Sequence, residues 1–184
     1  MSQSDPVAYN RLALPEDIAL IAPNLREADV QELTASCPDM SPAAVLGMGF
    51  MKSVCCSTMV RTKDADHEPV GMWGIAPGSH DKSGVIWMLG TDRLVNDFAV
   101  VRTFLRECLN NLQVIFDEGL FTSLYNIVDG RNEVHMRYLQ WIGFDINPNP
   151  ISLQGVDFYQ FSMTKEEFYV RTSSRRSRSS VRRP

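Results

Sequence analysis

Gly84-Val-Ile-Trp-Met-Leu-Gly90 decides how this chain is read, because a continuous apolar run of strand length between two glycines is the pattern of a central strand buried on both faces. The next segment is helical. Phe98, Val101, Leu105, Cys108, Leu112 and Ile115 recur at steps of three and four, with Arg102, Arg106, Asn110 and Gln113 on other faces. Asn96 or Asp97 can cap the start of that helix, and Gly119 supplies the left-handed position that ends it. Phe121 to Val128 is β-rich and closes on the turn dipeptide Asp129-Gly130. A helix of this length between two strands predicts a right-handed parallel crossover. A second helix then begins at Asn132-Glu133, turns Val134, Leu139 and Ile142 one way, and stops at Gly143.

Working outward, Asn24 can cap a helix ending near Cys37-Pro38, and Ser41-Pro42 starts another that Gly47 and Gly49 weaken. Leu14 to Ile21 reads equally as an edge strand or a short helix. Val54 to Thr62 and Pro69 to Ala76 pattern as antiparallel strands joined by a polar turn, and Val156 to Met163 as the final strand. The predicted class is α/β with a mixed sheet: mostly antiparallel, one parallel βαβ unit, flanking helices. Residues 14–170 are expected to form a single domain. Residues 1–13 are expected to be a flexible start, and residues 171–184, rich in Arg and Ser, a disordered tail.

Three pieces of this pattern resemble the GNAT-type N-acyltransferase fold, and within it the internal virion proteins of short-tailed phages. They are Val85-Ile-Trp-Met-Leu-Gly-Thr-Asp92, Leu124-Tyr-Asn-Ile-Val128 and Asn132-Glu-Val-His-Met-Arg-Tyr-Leu-Gln-Trp-Ile-Gly-Phe144. The strand Phe158-Tyr-Gln-Phe161 fits as well. The resemblance implies a role in the internal core of a particle, other virion or assembly proteins as partners, and a place in the host cytoplasm during assembly or in the virion interior.

Composition is that of a globular protein, 44% hydrophobic and 22% charged. No apolar run approaches a membrane span, and Met1 to Asn10 lacks the regions of a signal peptide. Cys37, Cys55, Cys56 and Cys108 have no metal spacing and read as reduced core residues; no metal is expected. The charge is divided. Six arginines fall in the last fourteen residues, and taking them from a net of −4 leaves −10 on the rest, so the body disfavours nucleic acid. Arg175, Arg176, Arg178, Arg182 and Arg183, with Arg171, could grip phosphates with a log–log salt slope of about −5, or could equally form a solvated end.

An active enzyme of the resembling fold holds the coenzyme A pyrophosphate on a glycine-rich turn after the first of these strands. This sequence instead has Thr91-Asp-Arg-Leu-Val-Asn-Asp97, where Leu94 and Val95 crowd phosphates and Asp92 and Asp97 repel them. The family's acid tyrosine would fall at Leu139; Tyr138, one helical step away, should face elsewhere. The main expectation is therefore an assembly protein that keeps the fold without catalysis or cofactor. The alternative is an N-acyltransferase using acetyl-CoA, with Asn132, Tyr138 and Asp92 as candidate catalytic residues and Leu89, Gly90, Thr91, Arg93 and Asn132 lining the coenzyme groove. A third reading is nucleic-acid association through the tail. If Trp87 is buried within the central sheet, Trp87→Ala should cost about 3 to 5 kcal/mol.

Overall fold

The computed structural model describes residues 7–64 and 66–180. Eight strands form one sheet: β1 (Val7–Leu12), β2 (Cys55–Lys63), β3 (Asp66–Pro77), β4 (Ser83–Gly90), β5 (Ser123–Asp129), β6 (Asp145–Ile146), β7 (Ile151–Leu153) and β8 (Val156–Thr164). Their order is β1-β2-β3-β4-β5-β8-β6, with β7 also on β8. All pairs are antiparallel except β4 and β5, as the sequence predicts. The helices are α1 (Pro15–Ile21), α2 (Glu27–Ser36), α3 (Pro42–Lys52), the single turn α4 (Arg93–Asn96), α5 (Phe98–Asp117), α6 (Glu133–Ile142) and α7 (Lys165–Ser180).

The sheet separates two cores. On one face Ile21, Leu33 and Leu46 of α1, α2 and α3 close over Met72 and Leu89. On the other, Cys108, Leu112 and Phe116 of α5 meet Leu139 and Ile142 of α6 and Phe168 of α7 over Leu124, Val128 and Phe161. Most caps follow the sequence, but Asn24, expected to cap α2, lies in the turn before it and donates to the Leu20 carbonyl, and Arg26 takes the N-cap position. Asp97 accepts hydrogen bonds from the amides of Ala99 and Val100, Ser41 caps α3, and Gly143 ends α6 at φ +116°.

Three further expectations change and one open alternative is settled. Residues 7–12 of the supposed flexible start are an edge strand, held because Thr103 donates to the Ala8 carbonyl and Asn10 to Glu107. Leu14 to Ile21 resolves as a helix, and its buried Asp17 accepts from Arg11, Thr58 and the Leu14 amide. The expected disordered tail is helical as far as Ser180, where Glu166 and Glu167 in the first turn favour the N-terminus. Residues 1–6 and 181–184, Arg182 and Arg183 among them, lie outside the described residues, and the side chains of Arg175, Arg176 and Arg178 are not described. Last, the middle of β4 is not buried on both faces: Val85 to Met88 are only half-buried.

Helix α7 fastens the ends of two others. Lys165 donates to the Phe116 carbonyl near the C-terminus of α5 at 2.6 Å, Tyr169 bonds Asp117, and Arg171 bonds the Gly143 carbonyl and Asp145. Cations there meet the negative ends of both helix dipoles.

Close packing where β4 meets β5 makes Gly84 sensitive, since a Cβ there would lie 2.6 Å from the Ile75 side chain and 2.9 Å from those of Leu124 and Phe121. Gly84→Ala is expected to destabilise by about 1 to 3 kcal/mol in denaturant unfolding. Trp87, half-buried with its indole N–H on Ser53, is expected to lose only about 1.5 to 3 kcal/mol on truncation to Ala, below the range set by full burial.

Candidate active site

The parallel pair is short. β4 and β5 are in register only at Ser83/Ser123, Gly84/Leu124 and Val85/Tyr125, after which the strands part toward their C-terminal ends. A mainly apolar cavity of about 420 Å³ opens in that gap and reaches both faces of the sheet. Val45 and Met48 of α3 line it on one side, and Phe104, Cys108 and Tyr138 on the other. Open α/β sheets place ligands at such carboxyl ends of strands.

Parting two strands leaves backbone groups that need partners. The Asn126 side-chain amide bonds the Ile86 carbonyl at 2.8 Å and sets the width of the gap. At the far end the Gly90 amide donates to Asp29 at 2.9 Å, and the Gly90 carbonyl accepts from the Arg26 amide at 3.0 Å. Alternation along the strand leaves the amide and carbonyl of Met88 on the same edge, at the cavity wall. Across the opening, Glu32 of α2 receives the Asp129 amide and the Asn132 side-chain amide. Helix α2 thus ties the end of β4 to the end of β5.

The charges under α2 are unequal. Arg26 and Asp29 pair at 2.7 Å with both side chains almost fully buried, and burial raises the Asp29 carboxyl in spite of its partner. Burial, then the Asp29 charge, raises Glu32 to about 7. His135 is fully buried, and burial followed by the Arg26 charge pushes it down to about 3; its Nδ1 has no hydrogen-bond partner among the described residues. Burial, then the Cys108 thiol, raises the Tyr138 hydroxyl well above its ordinary range. Burial, then the Cys55 and Asp17 charges, pushes the Cys56 thiol up to about 12. Among the described residues no group of three His, Cys, Asp or Glu could hold a metal ion, and no helix is long and apolar enough to cross a membrane.

The candidate residues scatter. Tyr138, expected to face away, lines the cavity beside Leu139 and stacks on Phe104 at 4.8 Å. Both ends of the Asn132 amide are used, Oδ1 in capping α6 and Nδ2 on Glu32. Asp92 lies outside the cavity, in a polar depression with Asp66, Glu68 and Arg93. Leu89 lines the cavity, Gly90 is engaged as described, Thr91 is spent on the Val70 carbonyl, and Arg93 bonds Glu68. Leu94, expected to crowd a phosphate, is buried against Gly71 and Gly90 instead. Glu32 was missed, because nothing in Val30-Gln-Glu-Leu33 distinguishes a carboxylate carried over a sheet gap from one on a solvated helix face.

No protein-family profile matches the chain, and no curated protein matches it in sequence. Solved structures do. AAC(6')-Ib in complex with ribostamycin and coenzyme A is 13% identical, matching 89% of this chain and 96% of its own with a TM-score of 0.61. The same protein with acetyl-CoA is 12% identical over 89% and 96%, TM-score 0.60. A GNAT-family acetyltransferase from Bacillus anthracis is 11% identical over 87% and 96%, TM-score 0.60. The chain has the GNAT-like fold. The expectation of a catalytically inert phage internal virion protein is corrected by these matches: the similar structures are acetyltransferases, two of them holding coenzyme A or acetyl-CoA, and nothing found supports a virion role.

Asp29→Ala would strand the buried Arg26 charge and the Gly90 amide together. It is expected to destabilise by about 3 to 5 kcal/mol, measured by denaturant unfolding.

Proposed function

We propose that the protein is a GNAT-type acyltransferase that moves an acyl group from a thioester to an amine within the gap between β4 and β5. The observation that carries this reading is the cavity through the parted sheet, with Glu32 on its wall and titrating near neutrality. A general base works best when its pKa lies close to the operating pH. Glu32 meets that condition, whereas His135, near 3, is too weak a base and Asp29 is committed to Arg26 and Gly90.

A thioester supplies an activated acyl carbon when bound. Glu32 takes the proton shed by the acceptor nitrogen as its bond to that carbon forms. The carbon–sulfur bond breaks with the sulfur leaving as a thiolate, and Tyr138 on the cavity wall, which keeps its own proton across the working range, can donate a hydrogen bond to it. The edge amide of Met88 faces the cavity, where a backbone N–H can support charge developing on the acyl oxygen. Asn132 and the Asp129 amide hold the Glu32 carboxyl in place. The apolar walls keep water from competing with the amine.

Thiol release from acetyl-CoA and S-acetylpantetheine, followed across a panel of primary amines, tests the reading. Glu32→Gln is expected to lower kcat/KM about 10²-fold or more. The wild-type profile should rise with pH through about 7, as Glu32 loses its proton. Absence of thiol release with every amine would overturn the proposal. A stability readout accompanies it. The folded carboxyl keeps its proton to higher pH than the unfolded one, so its contribution is complete below the ordinary carboxylate range and is lost as pH rises toward 7. Glu32→Gln should therefore melt higher than wild type at pH 8 and at the same temperature at pH 4.

A further inference from the structure

We infer that the donor is a thioester recognised through its acyl and pantetheine portions alone, with no seat on the protein for the nucleotide of a coenzyme. This rests on the acyltransferase reading and narrows it to a class of donor.

Among the described residues the place for such a seat is filled by the chain itself. The N-terminus of a long helix after a sheet strand is a ready anion site only while its first amides are free. In α5 the Asp97 carboxylate takes the amides of Ala99 and Val100 at 3.0 and 3.3 Å. Arg61 holds that carboxylate at 2.5 Å, Glu68 lies 3.7 Å from Arg61, and Arg93 pairs with Glu68 at 2.8 Å. Each of the two arginines is answered by a carboxylate before a phosphate arrives. Asp92 and Asp66 line the depression beside Glu68 and Arg93, with His67 and Asn24, so three carboxylates face the one arginine there. The second barrier lies on β4 itself. Arg26 and Asp29 take the backbone groups of Gly90, so an extended arm along β4 meets an occupied edge there and finds an open one only at Met88.

What remains is the cavity of about 420 Å³, whose scale suits an acyl chain with part of its arm and not a dinucleotide-sized ligand. Its apolar walls suit the methylenes of a pantetheine, and the Met88 edge of β4 offers polar partners for an amide of the arm.

Titration calorimetry on the full chain separates the possibilities without relying on turnover. S-acetylpantetheine and acetyl-CoA are expected to bind with Kd values within about threefold of each other, and millimolar 3',5'-ADP should not compete with either. Acetyl-CoA binding more than about tenfold tighter, or displacement by 3',5'-ADP, would overturn nucleotide independence while leaving the acyltransferase reading standing. If neither thioester binds, both fall. Asp97→Ser keeps a hydroxyl cap for α5 and removes the charge, so it should shift preference toward acetyl-CoA at low salt. An unchanged preference in the folded variant would remove Asp97 as the excluding residue, and the wild-type comparison still decides the class of donor.

Discussion

A sheet that opens must still satisfy its backbone, and that requirement organises the centre of this molecule. Beyond Val85 and Tyr125 the parallel ladder stops, and each amide or carbonyl exposed by the parting either finds a substitute or faces a ligand. Asn126 serves the Ile86 carbonyl, Asp29 and Arg26 serve Gly90, and Glu32 serves the Asp129 amide. Met88 keeps the edge that faces the cavity. The same hydrogen bonds that repair the sheet thereby decide where a ligand can pair with it.

Repair by carboxylates has an electrostatic consequence. Asp29, Glu32 and Asp129 are brought together beneath α2, and no arrangement leaves all three equally comfortable as anions. Asp129 is relieved by Arg131, whose hydrogen bonds outweigh burial and hold it below the ordinary range. Asp29 has Arg26. Glu32 has only neutral donors, which do not offset burial and the Asp29 charge, so its pKa rises. A carboxyl raised to about 7 is thus a by-product of closing the gap.

Most of the fold was legible because its signals are local. The steps of three and four in α5, the Asp97 and Ser41 caps, the Gly143 stop and the length of the crossover each depend on residues near one another in sequence. The failures have one cause. Val85-Ile-Trp-Met reads as fully buried because hydrophobicity does not distinguish a strand packed on both faces from one lining an apolar cavity. Helical rotation alone turns Tyr138 away, but the wall of this cavity is wide enough to include two successive residues of α6. Glu32 acquires its raised pKa from burial and from the Asp29 charge one turn back on α2, and that burial comes from packing against groups about 100 residues away, Asp129 and Asn132, which no spacing rule connects to it.

The clasp formed by α7 bears on the order in which the protein comes into being. Phe168 is buried against Phe116, and Lys165 and Arg171 complete the ends of α5 and α6, which were synthesised earlier. β8, the partner of β5, also arrives late, so during translation β5 has α5 and α6 over one face and no neighbouring strand on its far edge. The β1–β4 half, with α1 to α3 on one face, can gather as it emerges. The cavity at the junction is walled only once Phe158 and Phe161 of β8 have joined the sheet, so a chain ended before β8 lacks part of that wall as well as the partner of β5.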